Sequence, residues 1–262
     1  MRHKSVILRQ APRYCCAAIS CIRRYASLGE PLVSLGRIER FVLSILMLTA
    51  TGAVAQDTES DFQSWNAIAV AGPVADDSRL LFWFDGHARY RDDASDLGVT
   101  ILRPAIGWRV DESLDLWAGY ARVVSRSDDR PNIEEDRFWQ QATYPMRPIF
   151  GGSVGGRSRL EQRFRNSGED TGWRFRQFIR WARPVSGTNF SVVAWDEIFI
   201  NLNDADWGQR EGFDQNRLFI GGAWHLDERT RIEAGYLNNI LDTPGTDEQT
   251  NHNLSLTLFW AL

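Results

Sequence analysis

Arginine recurs at every second position in one short stretch of this chain, GRSRLEQRFRN. The charged residues of this stretch are Arg157, Arg159, Glu161, Arg163 and Arg165. Guanidinium groups bind carboxylates and phosphates through paired hydrogen bonds, so such a row could hold an anion or pair with acidic side chains. A spacing of two residues places all five side chains on one face of a β-strand, whereas it would scatter them around a helix.

Charged and amide side chains with the same alternation follow in the next predicted strands. These further candidate lumen-lining residues are Arg174, Arg176, Arg180, Glu197, Asn201, Arg217 and Glu233. One interpretation is a functional wall that attracts anions or orders a permeating solute. The other is a structural network of Arg–Glu pairs that fills a narrow interior. We favour the network, because a barrel of about eight to twelve strands has little spare room inside.

The segment WDEIFIN, residues 195–201, has one carboxylate on each face of its strand. Glu197 shares a face with Asn201, and we interpret it as a counter-ion of the arginines rather than as a general base. Asp196 falls on the opposite face, where it would meet lipid unless a β-bulge shifts the register. Asp196 is therefore the residue that fits this interpretation least well.

The sequence predicts no catalytic residue. A serine hydrolase needs Ser, His and an acid or amide within hydrogen-bond reach. After residue 55 the chain has His87, His225 and His252. His252 has Ser255 nearby in sequence, but the two side chains point to opposite faces of one strand. A lipid- or lipopolysaccharide-modifying enzyme is therefore an alternative and not the main hypothesis.

Acidic residues cluster in the predicted loops. The clusters lie at residues 92–96, 128–129, 134–136, 204–206 and 247–248. Carboxylate-rich loops can bind Ca²⁺, but none of these clusters has the ligand spacing of an EF-hand. We interpret them as solvated loops and predict neither a metal site nor a cofactor. Divalent bridging to lipopolysaccharide is a hypothesis that treatment with EDTA would test.

Apolar and polar residues alternate along most of the chain, and no stretch of about ten residues has a helical period. The sequence therefore predicts an all-β fold. Candidate strands lie at residues 65–71, 80–91, 99–110, 114–123, 137–144, 156–166, 173–183, 190–203, 215–226, 230–239 and 253–262.

The connections between these strands alternate in length. Residues 110–113, 184–188 and 226–229 form short turns, and residues 125–136, 203–214 and 241–251 form longer polar loops. This pattern is typical of an antiparallel up-and-down barrel. Bacterial outer-membrane barrels have an even number of strands, so we expect ten or twelve and favour twelve. The additional strand would lie in 56–72 or 145–155.

Strand length and aromatic placement favour a transmembrane barrel over an exported soluble one. Many candidate strands are long enough to span a bilayer, which takes about nine to eleven residues. Aromatic residues near the strand ends match the interfacial girdles of membrane barrels. They are Tyr90, Trp108, Tyr120, Trp181, Trp224 and Trp260. On this interpretation the apolar face meets lipid and the arginines face inward.

The N-terminal region is predicted to lie outside the barrel. Residues 37–55 combine basic residues, a short apolar core and the small-residue sequence Ala53-Val54-Ala55, which together indicate a cleavable signal peptide. The apolar core is too short to span a bilayer. We interpret residues 1–36 as an over-called N-terminal extension and residues 56–262 as a single outer-membrane β-barrel domain.

Composition narrows the class of partner. The first 55 residues hold eight of the 30 basic and two of the 34 acidic residues, which leaves 22 basic and 32 acidic residues and a net charge of −10. An acidic chain of this kind argues against nucleic acid as a partner. All three cysteines also precede residue 56, so an exported domain would contain no disulfide.

Several segments together resemble a known bacterial family. They are LRPAIGWRVDESLDLWAGYARV, EEDRFWQQ, RSRLEQRFRNSGEDTGWRFRQFIRW, WDEIFINLND and GFDQNRLFIGGAWHL. The likeness is to the family of domain of unknown function 2490, over nearly all of residues 62–262. It implies an outer-membrane β-barrel and no established activity. Such barrels commonly end in an aromatic residue that the assembly machinery reads, and here Trp260 lies two residues before the terminal Leu262.

We therefore expect a bacterial outer-membrane β-barrel with an Arg/Glu-rich lumen that acts as a small passive pore or a structural barrel. Its partners would be outer-membrane lipid, lipopolysaccharide and the barrel-assembly machinery, and the sequence does not identify a permeating solute. The alternatives are a lipid- or lipopolysaccharide-modifying enzyme and an exported soluble β-barrel that binds a ligand.

Overall fold

A computed structural model describes residues 62–128, 130–242 and 249–262. The predicted extension and signal peptide lie outside these residues, as do the loop acids Asp129, Asp247 and Glu248. The strands are β1 (Phe62–Pro73), β2 (Leu80–Arg91), β3 (Asp96–Arg109), β4 (Asp115–Ser125), β5 (Ile133–Ile149), β6 (Gly152–Arg165), β7 (Gly172–Pro184), β8 (Phe190–Asn201), β9 (Gly212–His225), β10 (Thr230–Leu241) and β11 (Gln249–Ala261). Within the described ranges, no helix is long and apolar enough to cross a membrane.

The strands form one closed barrel in which consecutive strands pair antiparallel, so the predicted all-β, up-and-down fold is confirmed. The barrel closes where β1 and β11 pair in parallel, with Trp65 opposite Ser255 and Ala71 opposite Ala261. With an odd number of up-and-down strands, the first and last strands run in the same direction, so their pairing has to be parallel. The favoured count of twelve is wrong, because the wall that the described residues close has eleven strands.

The segment 145–155, one of the two predicted places for an additional strand, belongs to a long hairpin. β5 continues to Ile149 and β6 begins at Gly152. Phe150 and Gly151 between them have φ angles of 48° and 70°. Positive φ at both central residues is the conformation of a two-residue turn whose twist suits a hairpin. The other predicted place, residues 56–72, overlaps β1 itself.

The two rims of the barrel differ in their connections. At the short-turn rim the strands are joined by residues 74–79, 110–114, 150–151, 185–189 and 226–229, and β11 ends there. At the long-loop rim the connections are residues 92–95, 126–132, 166–171, 202–211 and 242–248. Residues 133–136 were predicted as loop but belong to β5. One side chain of this segment, that of Glu135, therefore points into the barrel.

Glycines in the wall make room for large aromatic side chains inside. A Cβ atom on Gly119 would lie 2.3 Å from the Trp139 ring, and one on Gly107 would lie 2.4 Å from Trp117. The two indoles therefore pack directly against the backbone of the neighbouring strand and are buried. The guanidinium carbon of Arg159 lies 4.0 Å from the Trp139 ring centroid, so this packing also positions an interior charge.

Candidate functional site

Ion pairs between strands that are not neighbours show which side chains point into the barrel. Arg157 on β6 contacts Glu197 on β8 at 2.6 Å, and Arg180 on β7 contacts Glu233 on β10 at 2.5 Å. Such contacts are made only across the interior. Because side chains alternate along a strand, they assign the charged face of each strand to the lumen.

Glu161 lies at the centre of the charged interior. Its carboxylate accepts hydrogen bonds from Arg174 Nη2 at 2.7 Å and from Arg176 Nη1 at 2.6 Å. Arg159 Nη1 lies 3.6 Å from the same carboxylate. Glu161 is 1% exposed, and each of the three arginines is at most 5% exposed. One buried carboxylate thus holds charges from two strands, since Glu161 and Arg174 are partners in the β6–β7 register.

Glu197 repeats this arrangement on β8. Its Oε1 atom accepts hydrogen bonds from Arg157 Nη2 at 2.6 Å and from Arg176 Nη2 at 2.8 Å. Arg176 therefore bridges Glu161 and Glu197. The ring of Phe199 lies 4.3 Å from the Arg176 guanidinium, which stacks the bridge on an apolar surface. These contacts match the role of counter-ion rather than that of a free general base.

A third carboxylate, Glu135, holds the arginines nearest the long-loop rim. It contacts Arg163 Nε at 2.5 Å, Arg137 Nε at 2.7 Å and Arg165 Nε at 3.7 Å. The sequence analysis placed Glu135 in a loop with Glu134 and Asp136. Because β5 begins at Ile133, Glu135 instead points inward, whereas its two neighbours pair with Arg122 on the outside.

The loop between β8 and β9 covers the interior at the long-loop rim. Gln209 of this loop is 4% exposed and accepts a hydrogen bond from Arg163 Nη1 at 3.0 Å. The Trp207 ring lies 5.0 Å from the guanidinium carbon of Arg163 and 4.9 Å from that of Arg165. The sequence predicted a solvated loop here, and its polar composition carried no signal for a contact with the interior arginines.

At the short-turn rim, Glu233 plays the corresponding part. Its Oε1 atom contacts Arg180 and also accepts a hydrogen bond from Arg231 Nε at 2.8 Å. Arg231 in turn stacks on Phe259, with 3.9 Å between the guanidinium carbon and the ring centroid. Both rims are therefore crossed by arginine side chains that bind an interior glutamate.

Strands β2 and β3 contribute a group that the sequence analysis left out of the candidate site. Asp85 is 4% exposed and contacts Arg103 Nη2 at 3.1 Å and His87 Nε2 at 2.8 Å. Trp83 Nε1 donates a hydrogen bond of 2.5 Å to the other carboxylate oxygen. The alternation in LLFWFDGHARYR already placed Asp85 and His87 on one face, and that signal could have identified them.

Two arginines meet on the ring of Trp65, which is 9% exposed. The guanidinium carbon of Arg89 lies 3.8 Å from the ring centroid, and that of Arg217 lies 4.9 Å from it. Arg217 donates hydrogen bonds to Asn239 Oδ1 at 3.3 Å and to Gln215 Oε1 at 2.9 Å. Neither acceptor carries a charge.

The predicted lumen-lining residues all lie inside the barrel, but they do not form one group. Arg157, Arg159, Glu161, Arg174, Arg176 and Glu197 form the central network, Arg163 and Arg165 lie towards the long-loop rim, Arg180 and Glu233 lie towards the short-turn rim, and Arg217 lies on Trp65. Asn201 is buried and donates a hydrogen bond of 3.1 Å to Asp214. Their role remains a proposal.

Asp196 faces outward, as the alternation requires. The register irregularity of β8 lies between Phe199 and Ile200, beyond Asp196, and so does not turn it inward. Its two carboxylate oxygens accept hydrogen bonds of 3.2 and 3.0 Å from Asn216 Nδ2 on β9. The pair is a polar contact on an otherwise largely apolar outer face.

The three histidines of the described residues do not form a Ser-His-acid triad. His252 lies on the outer face, where its Nδ1 atom is 2.5 Å from the Tyr236 hydroxyl. The Ser–His contact that the fold does make, Ser191 Oγ to His225 Nε2 at 3.1 Å, was not detected from the sequence. Ser191 is 2% exposed, and within the described residues no carboxylate forms an ion pair with His225. A buried hydroxyl without an acid–base chain is poorly placed to attack a substrate.

One group of loop acids approaches the geometry of a metal site. Oxygen atoms of Asp92, Asp96 and Asp128 lie within 4.8 Å of one another. Arg91 lies among them, at 2.6 Å from Asp96, 3.3 Å from Asp128 and 3.7 Å from Asp92. An arginine side chain thus already supplies the positive charge that a cation would bring.

A family profile described as a protein of unknown function, DUF2490, matches residues 62–250. This chain belongs to that family. The resemblance read from the sequence motifs is therefore confirmed, and the match covers all of β1 to β10.

Two further comparisons place the chain beside individual proteins. An uncharacterized protein from Methylorubrum extorquens is 37% identical over 227 residues, which span 85% of this chain and 98% of that protein. The crystal structure of the siderophore receptor PirA from Pseudomonas aeruginosa is 15% identical with a TM-score of 0.31, over 71% of this chain and 34% of the receptor chain. A similarity as low as the second supports no inference from the receptor to this barrel.

Proposed function

We propose that this protein is an outer-membrane β-barrel with a closed, ion-paired interior, and that it acts as a structural barrel rather than as an open passive pore. The observation that carries the proposal is the inverted polarity of the barrel. A network of charged side chains is buried inside, and many large apolar side chains are exposed outside. A soluble barrel needs the reverse arrangement, with an apolar core and a wet outer face.

The outer face has the character of a lipid-facing surface. Ile106, Ile220 and Ile68 are 62%, 57% and 54% exposed, on three different strands. The strands are 11 to 17 residues long, and about nine to eleven residues suffice to cross the hydrocarbon core. In water these side chains would form an exposed apolar belt of a size that soluble monomers avoid.

Aromatic residues on the outer face lie towards both rims. Trp108, Trp224 and Trp260 are half or more exposed near the short-turn rim, and Trp173 and Phe213 are about two-fifths exposed near the long-loop rim. Aromatic rings prefer the two interfaces of a bilayer. The spacing between the two groups therefore supports an orientation in which the strands cross the membrane.

The interior supports a closed barrel. Glu135, Glu161 and Glu197 are each at most 3% exposed, and the interior rings of Trp139, Phe199 and Phe219 are each 1% exposed. The loop that carries Gln209 covers one rim. A continuous water channel would leave the lining side chains accessible to solvent, as in large porins.

On this proposal, the signal peptide is removed before the barrel reaches the outer membrane, and the barrel-assembly machinery inserts it. The partners in the mature state are outer-membrane lipid and lipopolysaccharide. Sequencing the N-terminus of the protein extracted from membranes tests the first step. We expect it to begin at Gln56.

The decisive experiment is a conductance measurement on the protein purified from bacterial outer membranes in detergent. A gel comparing heated and unheated samples first verifies a folded barrel, and a known porin serves as the control in the same planar bilayers. We expect insertion without reproducible open levels. Stable open levels with anion preference would instead establish a pore, and recovery in the soluble fraction without detergent would establish a soluble barrel.

A further inference from the structure

Arg89 forms no ion pair with a carboxylate in the described part of the chain. It stacks on Trp65, and its Nε–H is buried without a hydrogen-bond acceptor. The interior arginines of β6 and β7 mostly lie against Glu135, Glu161, Glu197 or Glu233. A guanidinium group left without such a partner in a protein interior is costly, so its position calls for another anion.

Arg217 is a second charge on the same ring, and among the described residues its side chain donates hydrogen bonds to the neutral side chains of Asn239 and Gln215. Both guanidinium carbons lie near the Trp65 ring, so they are no farther apart than the sum of their distances to its centroid, 8.7 Å. One tetrahedral oxyanion with N–H···O bonds of about 2.8 Å on each side can bridge such a separation.

Two further buried arginines also carry an N–H group without a hydrogen-bond acceptor. Arg103 and Arg159 are 8% and 2% exposed, and each has a buried N–H without a hydrogen-bond acceptor, Nε and Nη1 respectively. Arg159 Nη1 lies 3.6 Å from the Glu161 carboxylate, and Arg103 forms an ion pair with Asp85 at 3.1 Å. Arg89 and Arg217 differ from both, because neither forms an ion pair with a carboxylate of the described residues.

The interior retains some space beside these groups. The side chains of Arg157 and His87 are 19% and 22% exposed although both point into the barrel. Arg89 and Arg217 are themselves partly exposed, so unfilled space inside the barrel also borders the two groups on Trp65. A small ion can enter such a space even where the barrel is closed to larger solutes.

From this arrangement we infer that the lumen holds a binding site for a phosphate-type oxyanion between Arg89 and Arg217, beside Trp65. Planar guanidinium groups bind phosphate oxygens through paired hydrogen bonds, and the indole orients both groups. The ligand is either a free phosphate ion or the phosphate group of a larger molecule such as a lipid headgroup. The site goes beyond the proposed structural role and does not depend on conductance.

Titration calorimetry on the protein purified from membranes tests the site. The titrants are inorganic phosphate and glycerol phosphate, the latter representing a lipid headgroup, in phosphate-free detergent buffer of constant ionic strength, with chloride as the control. We expect saturable binding of phosphate that R89Q and R217Q weaken by about tenfold or more, since each removes charged hydrogen bonds. R183Q changes an exposed arginine near the short-turn rim and should bind as the natural protein does.

The comparison has outcomes that overturn the site. Absence of saturable binding, equal binding by R89Q, or an equal response to chloride would each contradict it. Tighter binding of glycerol phosphate than of the free ion would identify a headgroup as the source, and the reverse would identify a solute. If R89Q fails the heated-gel test for folding, R89K decides, because lysine keeps the charge but lacks the planar fork. Unchanged phosphate affinity in R89K would rule out a guanidinium site.

Discussion

Two regions of the same lumen use arginine differently. In the central network Arg174 and Arg176 share Glu161, and Arg157 and Arg176 share Glu197, at distances of 2.6 to 2.8 Å. In the Trp65 sector, formed by Trp65, Arg89 and Arg217, the two arginines stack on the indole, and neither forms an ion pair with a carboxylate of the described residues.

The alternating arginines look equivalent in the sequence, but this difference indicates two roles, one in holding the fold together and one in binding an anion. An arginine with a buried carboxylate partner has a structural role, because the carboxylate balances its charge and accepts its N–H hydrogen bonds. An arginine without such a partner retains a capacity for an external anion. The arginine-rich face is thus a structural network in one sector and a candidate binding site in another.

The largest effect that we expect comes from breaking the central network. E161Q removes the negative charge that Arg174 and Arg176 share and leaves two buried guanidinium groups with less compensation. Loss of one partner of a buried ion pair typically costs about 3–5 kcal/mol. We expect the free energy of unfolding, measured by urea titration in detergent, to fall by about that amount.

The matched control is E134Q, the same substitution on the neighbouring strand β5 but on the outer face. The Glu134 side chain is 43% exposed and pairs with Arg122, which is 37% exposed. Exposed pairs contribute about 1 kcal/mol or less. If E161Q were no more destabilising than E134Q, the central network would not be what holds the interior together.

We expect a substitution in the Trp65 sector to change the free energy of unfolding much less than E161Q does. R89Q removes an unpaired interior charge together with a stacking contact, two effects of opposite sign, so we expect unfolding in phosphate-free buffer to change by about 1 kcal/mol or less. Phosphate should raise the melting temperature of the natural protein and not of R89Q, because a ligand stabilises only the state that binds it. Thermal melts with and without phosphate measure both effects.

Two outcomes of these melts would contradict the expected difference between the Trp65 sector and the central network. If R89Q were as destabilising as E161Q, Arg89 would have a structural partner in the folded protein and the contrast between the sectors would fail. If phosphate stabilised R89Q as strongly as the natural protein, the anion would act elsewhere on the barrel.

The sequence predicted which side chains point inward from each strand, but it did not predict which of them are in contact inside the barrel. Alternation of residues located all eleven strands and placed Arg157 and Glu197 on one side of the wall. It could not show that the Trp65 sector joins residues from β1, β2 and β9, because that depends on barrel closure through β1 and β11. The parallel closure itself leaves no local pattern in either strand.

The strand boundary at Ile133 explains the main error in the site. A loop containing three acids in succession and a strand with one inward acid look alike until the register with β6 is known. In that register Glu135 lies opposite Arg165 and Arg137 lies opposite Arg163. Pairing across strands, rather than composition, decides that Glu135 belongs to the interior.

A substitution of the outward-facing Asp196 should change the free energy of unfolding less than one in the interior network. D196L replaces a carboxylate whose hydrogen-bond partner among the described residues is Asn216 with a side chain suited to lipid. A lipid-facing carboxylate is unfavourable, but its hydrogen bonds offset part of that cost. We expect a change of about 1 kcal/mol or less in unfolding within lipid vesicles, with I198L on the same face of β8 as the control. A loss as large as that of E161Q would mean that Asp196 contacts protein rather than lipid.

The smallest effect should be confined to the long-loop rim. Asp206 accepts hydrogen bonds from the backbone N–H groups of Glu169 at 2.9 Å and Asp170 at 3.2 Å, and these bonds lower the pKa of its carboxyl group. With the folded pKa lowered, the contact between the two loops is fully present above the unfolded value of about 4 and is lost as the pH falls below it. We expect the amide protons of Glu169 and Asp170 to lose protection from exchange in D206N near pH 6, while those of β7 stay protected. Asp206 is exposed and lies in the loop at the long-loop rim, so we expect the effect to stay in the two loops. Loss of protection in the strands as well would show that the loop contacts and the interior ion pairs stabilise each other.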